Sequence, residues 1–208
     1  MSIHAYSPPL VAILRGITPE RAVEVASTLY LAGIRIIEVT FNSIDPLSSI
    51  AAIADIRLPD CLIGAGTVLN SDDVQRTYDA GGKLIVTPNC DISVIKKALA
   101  LNMTVLPGIA TATEAFTAVH AGAHIIKLFP AVSYGTAHLK ALKSVLPAAI
   151  KVFPVGGIGA ADIGSWMQAG ADGFGFGSEL FKPAYTLREI ESRARQLVQC
   201  FAAATSTT

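Results

Sequence analysis

A lysine within a short apolar stretch is the residue of this chain best suited to covalent chemistry. Lys127 lies in the run 123–131, where isoleucine, leucine and phenylalanine surround it. Burial among such side chains removes water from the ammonium group and lowers its pKa. A lysine that loses its proton easily can attack a carbonyl carbon and form a Schiff base. The alternative is a lysine that extends to solvent, as most lysines near strands do.

A second ionisable residue, Glu38, lies in another apolar run, 34–40. A carboxylate there is costly unless it is paired or used. We expect Glu38 either to move protons in a reaction or to form a buried ion pair with Arg15 or Lys127, because structural pairs also contain perturbed groups. Arg15 ends the first apolar run. Its guanidinium could hold the carboxylate of a substrate or take part in a structural salt bridge.

Small and hydroxyl residues end the other apolar runs. Gly156-Gly157 and Gly177-Ser178 follow the last two runs. Backbone N–H groups next to glycine can approach an anion closely, which predicts a phosphate site, although turn formation alone also selects glycine. Thr67 and Thr87 end the third and fourth runs. Their hydroxyls could bind a substrate or cap the next helix.

The elements that must position these residues alternate regularly along the chain. The apolar runs predict strands at 10–14, 34–40, 61–67, 84–88, 103–108, 123–131, 150–155 and 172–176. The segments between them predict helices at 18–33, 45–56, 71–81, 91–101, 111–122, 136–146, 160–169 and 187–201. Strands that alternate with helices predict an α/β fold with a parallel sheet, and eight units predict a (β/α)₈ (TIM) barrel. An open doubly wound sheet is the alternative, but the turn after the first strand is no phosphate loop.

In such a barrel the active site lies at the carboxyl ends of the strands. This rule separates the lysines of the chain. Lys127 lies near the end of its strand, whereas Lys83 and Lys151 begin theirs and are expected to be structural. The remaining lysines considered fall on predicted helices and are expected to be solvated: Lys96, Lys97, Lys140 and Lys143.

The composition indicates one domain with much buried surface. The 208 residues are 51% hydrophobic and 15% charged, against about 25% charged in an average domain. We predict a single barrel domain over 1–208, with a lead-in at 1–9 and a disordered tail at 202–208. Lys plus Arg equals Asp plus Glu, at 16 each, which argues against nucleic-acid and membrane partners and is compatible with self-association.

The cysteines and the N-terminus predict a cytoplasmic protein. Cys61, Cys90 and Cys200 are odd in number and scattered, so they suggest neither a disulfide framework nor a metal pair. The first residues lack the basic and apolar regions of a signal peptide. The four histidines form no convincing metal-ligand cluster.

The motifs taken together resemble the class I aldolases that cleave 2-keto-3-deoxy-6-phosphosugar acids. The resemblance covers about 11–201 and is carried by the motifs around Glu38, Gly64-Ala-Gly-Thr67, Thr87-Pro-Asn89, Pro107-Gly108, Lys127-Leu-Phe-Pro130 and Val155-Gly-Gly157. It implies a homotrimer that needs no metal or other cofactor, with a phosphorylated keto acid as substrate. It also implies a Schiff base on Lys127 and proton transfer by Glu38.

The resemblance also assigns the binding residues. Arg15 and Thr67 are expected to hold the carboxylate of the substrate, and the phosphate is expected at Gly156, Gly157, Gly177 and Ser178. Further contacts with the substrate are expected from Thr87, Pro88 and Phe129.

Within this family the sequence matches the branch that acts on the 6-phosphogalactonate epimer and yields pyruvate and glyceraldehyde 3-phosphate. The gluconate branch usually has arginine in place of Asn42 and Ser-Pro-Gly in place of Thr87-Pro-Asn89. Activity on the gluconate epimer, or on both epimers, remains an alternative. More distant alternatives are a metal-dependent aldolase, a phosphosugar isomerase or epimerase, and a barrel that only binds phosphorylated ligands.

Overall fold

The computed structural model of the chain describes residues 6–206. Its strands are β1 (Leu10–Ile13), β2 (Ile36–Thr40), β3 (Leu62–Gly66), β4 (Leu84–Val86), β5 (Thr104–Leu106), β6 (Gly108–Ile109), β7 (Ile125–Leu128), β8 (Lys151–Pro154) and β9 (Phe174–Phe176). Its helices are α1 (Pro19–Leu31), α2 (Pro46–Asp55), α3 (Ser71–Asp79), α4 (Ile92–Ala100), α5 (Ala112–His120), α6 (Ala131–Val145), α7 (Ile163–Gln168) and α8 (Leu187–Thr205). Each predicted strand and helix therefore has a counterpart.

The strands form two parallel ladders. One has the order β5-β4-β3-β2-β1-β9 and the other the order β6-β7-β8. A single parallel bridge from Val155 to Gly175 joins the end of β8 to β9. Between β5 and β6 only Pro107 interrupts the strand, because proline lacks the N–H that a ladder requires. The result is an α/β fold with a curled parallel sheet.

Alternation along the strands sends side chains into two separate cores. The larger core includes Leu10 and Ala12 of β1 together with apolar residues of the helices. A smaller cluster contains Val11 and Ile13 of the same strand. Because successive side chains of a strand point to opposite faces, these residues divide into an outer and an inner face of the curled sheet.

The same alternation decides where the two ionisable residues point. On β2, Ile36 belongs to the inner cluster, so Glu38, two residues on, shares its face. On β7, Ile125 belongs to the inner cluster, and Lys127 follows it by two. Both charged side chains therefore project to the inner face, near the carboxyl ends of their strands.

The sixth helix starts earlier than the sequence predicted. It was expected from residue 136, but α6 begins at Ala131 and contains Gly135 with non-helical φ 76° and ψ 173°. Residues 131–134 form a first turn that is hydrogen-bonded to the segment directly after β8. Ala131 N–H donates to Val155 O at 2.8 Å, and Val132 N–H donates to Gly156 O at 3.1 Å. Such tertiary hydrogen bonds are not visible in local sequence.

Two further expectations need correction. Lys143 was predicted to be solvated, but its Nζ donates to Asp172 at 2.8 Å, and Lys151 donates to the same carboxylate at 3.0 Å. The predicted tail begins inside a helix, because α8 continues to Thr205, where a run of alanine favours helix. Residues 1–5 of the predicted lead-in and 207–208 of the tail lie outside the described residues.

Over 6–206, no helix has the length and apolar character needed to cross a membrane.

Candidate active site

The two ionisable residues predicted to do chemistry lie in the same cleft. In the sheet, Glu38 pairs with Ile13 of β1 and Gly64 of β3, and Lys127 pairs with Gly108 of β6 and Phe153 of β8. The curl of the sheet turns both inner faces toward a cavity of about 430 Å³. Its lining includes Ile13, Arg15, Glu38, Lys127, Phe129, Val155, Gly156, Gly157, Ile158, Gly175, Gly177, Ser178, Glu179, Phe181, Lys182 and Pro183.

Lys127 is buried, with 6% of its surface exposed. Its Nζ lies 4.7 Å from the centre of the Phe129 ring. Burial lowers the pKa of the Lys127 ammonium, the Glu38 carboxylate opposes this change, and the charge of Arg15 adds to it. The lysine is therefore easier to deprotonate than a lysine in solution, which makes it a better nucleophile.

Glu38 is buried more completely and lacks a hydrogen-bond partner on one oxygen. It is 1% exposed, and Oε2 has no partner among residues 6–206. Burial raises the pKa of the carboxyl, while the charges of Lys127 and Arg15 lower it. Within the same residues, no salt bridge joins Glu38 to a cation, so the buried ion pair considered as an alternative is not formed. An unsatisfied buried acceptor costs about 1–3 kcal/mol, and a substrate or water proton would remove that cost.

A glycine makes room for the Glu38 carboxylate. A β-carbon at Gly66 would overlap Oε1 of Glu38, and one at Gly64 would overlap the backbone of Leu84. Only residues without a side chain therefore fit at these two points of β3. Both glycines belong to the Gly64-Ala-Gly-Thr67 motif that the sequence analysis singled out. Their function of leaving space for neighbouring atoms depends on how β3 lies against its neighbours, which the motif alone does not show.

The glycine loops border the same cavity. Gly156 and Gly157 both have positive φ, at 99° and 75°, which favours glycine. A β-carbon at Gly157 would also overlap the side chain of Val132. At the end of β9, Gly177 O accepts hydrogen bonds from Leu180 N and Phe181 N, each at 2.9 Å. Both loops line the cavity, so a ligand in the cleft would contact them.

Three predicted residues do not line this cavity. Thr67 is half-buried just beyond β3, with a left-handed φ of 57°. Thr87 is fully buried; its Oγ1 donates to Asn89 O at 2.5 Å and accepts from Gly108 N at 3.1 Å. Pro88 is half-buried, and its carbonyl lies so close to Gly108 that a β-carbon there would overlap it. Neither threonine caps a helix, because Asn70 and Asp91 are the N-caps of α3 and α4.

Sequence reasoning missed one part of the lining, the loop after β9. Glu179, Phe181, Lys182 and Pro183 all border the cavity. Their position directly after the last strand was a usable signal, because carboxyl ends of strands form the active site of such folds. Over 6–206, no group of three or more His, Cys, Asp or Glu could hold a metal ion.

The chain is similar to known proteins over most of its length. The model of the KDPG and KHG aldolase family matches residues 4–193. The chain belongs to this family. It is therefore an aldolase, a carbon–carbon lyase of class I.

Individual relatives of this aldolase family match over nearly the whole chain. The 2-dehydro-3-deoxy-6-phosphogalactonate aldolase of Escherichia coli (strain K12) is 44% identical over 193 residues, which cover 93% of this chain and 94% of that protein. The native KDPGal structure superposes with a TM-score of 0.94 and 42% identity, over 96% of this chain and 97% of that one. A cube-shaped protein cage, designed by fusing symmetric oligomeric domains, superposes with a TM-score of 0.95 and 42% identity, over 97% of this chain and 74% of that chain.

Proposed function

We propose that this aldolase cleaves 2-dehydro-3-deoxy-6-phospho-D-galactonate into pyruvate and D-glyceraldehyde 3-phosphate through a Schiff base on Lys127. One observation carries the proposal: a buried lysine with a lowered pKa shares a cleft with a buried glutamate that lacks a partner. A site that only bound phosphorylated ligands would not require two such groups. Their burial costs stability, and that cost is typical of residues kept for chemistry.

The first half of the reaction forms the covalent intermediate. The neutral amine of Lys127 attacks the C2 ketone, and the resulting carbinolamine loses water to give an iminium ion. Glu38 supplies and removes the protons of this step, directly or through a water molecule. Burial raises the pKa of its carboxyl, which brings it closer to the working pH and suits a group that must both donate and accept protons.

The second half breaks the carbon–carbon bond. Glu38 removes the proton of the C4 hydroxyl, C4 becomes a carbonyl, and the C3–C4 bond electrons move into the iminium to form an enamine. Glyceraldehyde 3-phosphate leaves. Protonation of the enamine at C3 and hydrolysis then release pyruvate and restore the free amine of Lys127.

The remaining residues divide by the part of the substrate that they contact. We assign Arg15 to the carboxylate of the substrate. Its charge acts on both Lys127 and Glu38, so it lies near the reacting end of the cleft. Thr67 remains the candidate from its sequence motif for the same end of the substrate, although its side chain does not line the cavity. The phosphate goes to the glycine loops, at Gly156, Gly157, Gly177 and Ser178.

Phe129 packs against the reacting amine. Thr87 and Pro88 are assigned to holding the ends of β4 and β6 together, since the Thr87 hydroxyl is already used within the protein.

The galactonate epimer is supported by two kinds of observation. A relative that is 44% identical bears the name of the phosphogalactonate aldolase. The chain also has Asn42 and Thr87-Pro-Asn89 where the gluconate branch usually differs. Cleavage of the gluconate epimer is the second candidate, because the family name covers it and the two substrates differ at one hydroxyl.

The barrel closure and the assembly belong to this proposal as well. The (β/α)₈ barrel is supported by the Val155–Gly175 bridge and by the chain running directly from β5 through Pro107 into β6. A homotrimer is supported by the low charge of the chain and by a relative that serves as a symmetric oligomeric domain. A cytoplasmic location is supported by the three free cysteines.

The direct test is product formation from the two purified epimers. Pyruvate is measured with lactate dehydrogenase and glyceraldehyde 3-phosphate, in a separate assay, with its own dehydrogenase, each with and without EDTA. We expect equal amounts of both products and a higher kcat/KM on the galactonate epimer. Activity abolished by EDTA, or ligand-induced thermal stabilisation without pyruvate release, would favour the metal-dependent or the non-catalytic alternative.

A further inference from the structure

We propose that Lys182, in the loop after β9, is a further substrate-binding residue whose positive charge binds the phosphate of the substrate. The inference rests on the proposed function and adds a residue to it. Lys182 lines the cleft, belongs to the same loop as Gly177 and Ser178, and follows Ser178 by four residues.

Charge in the cleft supports this assignment. The lining contains three cationic side chains, Arg15, Lys127 and Lys182. Lys127 must be neutral when it attacks, and the charge of Arg15 acts on the Lys127–Glu38 pair. The proposed substrate carries a carboxylate at one end and a phosphate at the other. Lys182 is thus the cation left for the phosphate end.

The glycine loops alone would compensate the phosphate charge only in part. Backbone N–H groups and a serine hydroxyl offer partial charges, whereas a phosphate ester carries about −1.5 to −2 at pH 7. Glu179 in the same lining adds a negative charge. A lysine ammonium provides the point charge that phosphate sites commonly use beside backbone donors.

Contacts from two helices fix the backbone around Lys182. Arg21 of α1 donates to Pro183 O at 2.5 Å and to Tyr185 O at 3.0 Å. Arg193 of α8 donates to Glu179 O at 3.1 Å and lies over the Tyr185 ring at 4.5 Å. Two arginines therefore hold the loop on both sides of Lys182.

The loop also packs on the turn that carries Arg15. A β-carbon at Gly16 would lie 3.1 Å from Pro183 Cγ. Lys182 begins a turn that is closed by a hydrogen bond, in which Tyr185 N–H donates to Lys182 O at 2.9 Å. The Nζ of Lys182 lies 5.5 Å from the Tyr185 ring centre. These contacts hold the backbone of the loop, so an exposed Lys182 at the edge of the cleft needs little backbone ordering when the phosphate binds.

The experiment compares Lys182→Gln, Lys182→Arg and the parent on two substrates. One is the phosphorylated keto acid, and the other is the same acid without its phosphate. For Lys182→Gln we expect KM of the phosphorylated substrate to rise about fivefold to tenfold, as for the loss of one solvent-exposed charge-assisted hydrogen bond. The kcat should change by less than about twofold. Lys182→Arg should restore most of the affinity, since it keeps the charge.

Controls separate this inference from the proposed function. Lys140→Gln, at an exposed lysine of α6, should leave both substrates unaffected. Trapping of pyruvate by borohydride should proceed equally in Lys182→Gln and the parent, because pyruvate has no phosphate. About 0.5 M KCl should reduce the difference in KM between the parent and Lys182→Gln.

An unchanged KM in Lys182→Gln, or an equal rise of KM for the phosphate-free acid, would overturn the role of Lys182 while the proposed function stands. A parent enzyme that releases no pyruvate from the phosphorylated acid would overturn both.

Discussion

At the scale of single residues, the central pair is Lys127 and Glu38, which the inner face of the sheet brings together. Burial lowers the pKa of Lys127, and the charge of Glu38 opposes this change. In turn, the charge of Lys127 lowers the pKa of Glu38, which burial raises. The charge of Arg15 lowers the pKa of Lys127. The amine of Lys127 is thus set between one charge that raises its pKa and one that lowers it.

The first prediction uses these opposite effects. Glu38→Gln removes a charge that raises the Lys127 pKa, so the acid limb of the pyruvate-trapping rate should move to lower pH. Arg15→Gln removes a charge that lowers the pKa, so the acid limb should move to higher pH. The measurement is the initial rate of trapping with cyanoborohydride as a function of pH, with Lys140→Gln as the control. Shifts in the same direction for the two variants would contradict the electrostatic account.

The same Glu38→Gln variant should lose most of its cleavage activity. A placed carboxylate that transfers protons contributes about 10²–10⁴-fold to a rate. We therefore expect kcat on the phosphorylated keto acid to fall by about that factor, while the protein keeps its thermal unfolding transition. Full activity in Glu38→Gln would assign the proton transfers to another group.

A third prediction concerns the glycine beside the carboxylate. Gly66→Ala should displace Glu38, because the new methyl would occupy the position of its carboxylate, and kcat should fall at least about 100-fold. Gly164→Ala is the matched control, since nothing lies within 4 Å of a β-carbon there. Steady-state kinetics and thermal unfolding of both variants check the prediction. Equal activity of the two would show that Glu38 does not need its present position.

At the scale of elements, the two ends of the strands have different tasks. The carboxyl ends of β2 and β7 carry the reacting groups. Near the amino end of β8, Asp172 binds Lys143 and Lys151 and also accepts from Val152 N at 2.9 Å. This cluster ties α6, β8 and the segment before β9 together, away from the chemistry.

The fourth prediction is that Asp172 contributes to stability and not to catalysis. Asp172→Ala should lower the free energy of unfolding by about 1–3 kcal/mol, because a partly buried acceptor and two charge pairs are lost. Urea unfolding measures this value, and kcat should stay close to that of the parent. Asp55→Asn, at an exposed end of α2, should change stability by less than about 0.5 kcal/mol. A loss of activity without a loss of stability in Asp172→Ala would contradict the separation of the two ends.

The elements were also what the sequence predicted best. The apolar runs predicted the strands, and the segments between them predicted the helices, since these signals are local. The early start of α6 and the ion pair of Lys143 were missed, because both depend on contacts with β8 and with Asp172 that lie far along the chain. At the site, burial of Lys127 and Glu38 was expected from their apolar neighbours. The space that Gly66 leaves for Glu38 could not be predicted, because it depends on the register between β2 and β3. The position of Lys182 in the lining could not be predicted either, because it depends on the path of the loop after β9.

At the scale of the whole molecule, three exposed apolar residues follow neighbouring strands. Ile44, Leu69 and Ile92 are 67%, 55% and 46% exposed, and they follow β2, β3 and β4, which are adjacent in the sheet. Together with the neutral charge balance, this surface fits contact with further copies of the chain. Curvature and assembly are whole-molecule properties, and for that reason local sequence patterns indicated them only indirectly.

The fifth prediction tests the assembly. Light scattering of the parent should give three times the 21.7 kDa chain mass. Ile44→Glu combined with Leu69→Glu should give a smaller mass, because charge in an apolar interface is costly. Leu31→Glu, at an exposed leucine of α1, should leave the mass unchanged. A monomeric parent, or a double variant with the parent's mass, would contradict this assignment of the interface.

The Schiff base on Lys127 is the centre of the account, and borohydride reduction in the presence of pyruvate tests it most directly. Mass spectrometry of the intact protein should show one reduced pyruvate unit per chain, and peptide mapping should locate it on Lys127. Lys127→Ala should gain no adduct, whereas Lys140→Gln should gain as much as the parent. An unmodified parent protein, or an adduct on the same peptide of Lys127→Ala, would show that the reaction does not proceed through this lysine.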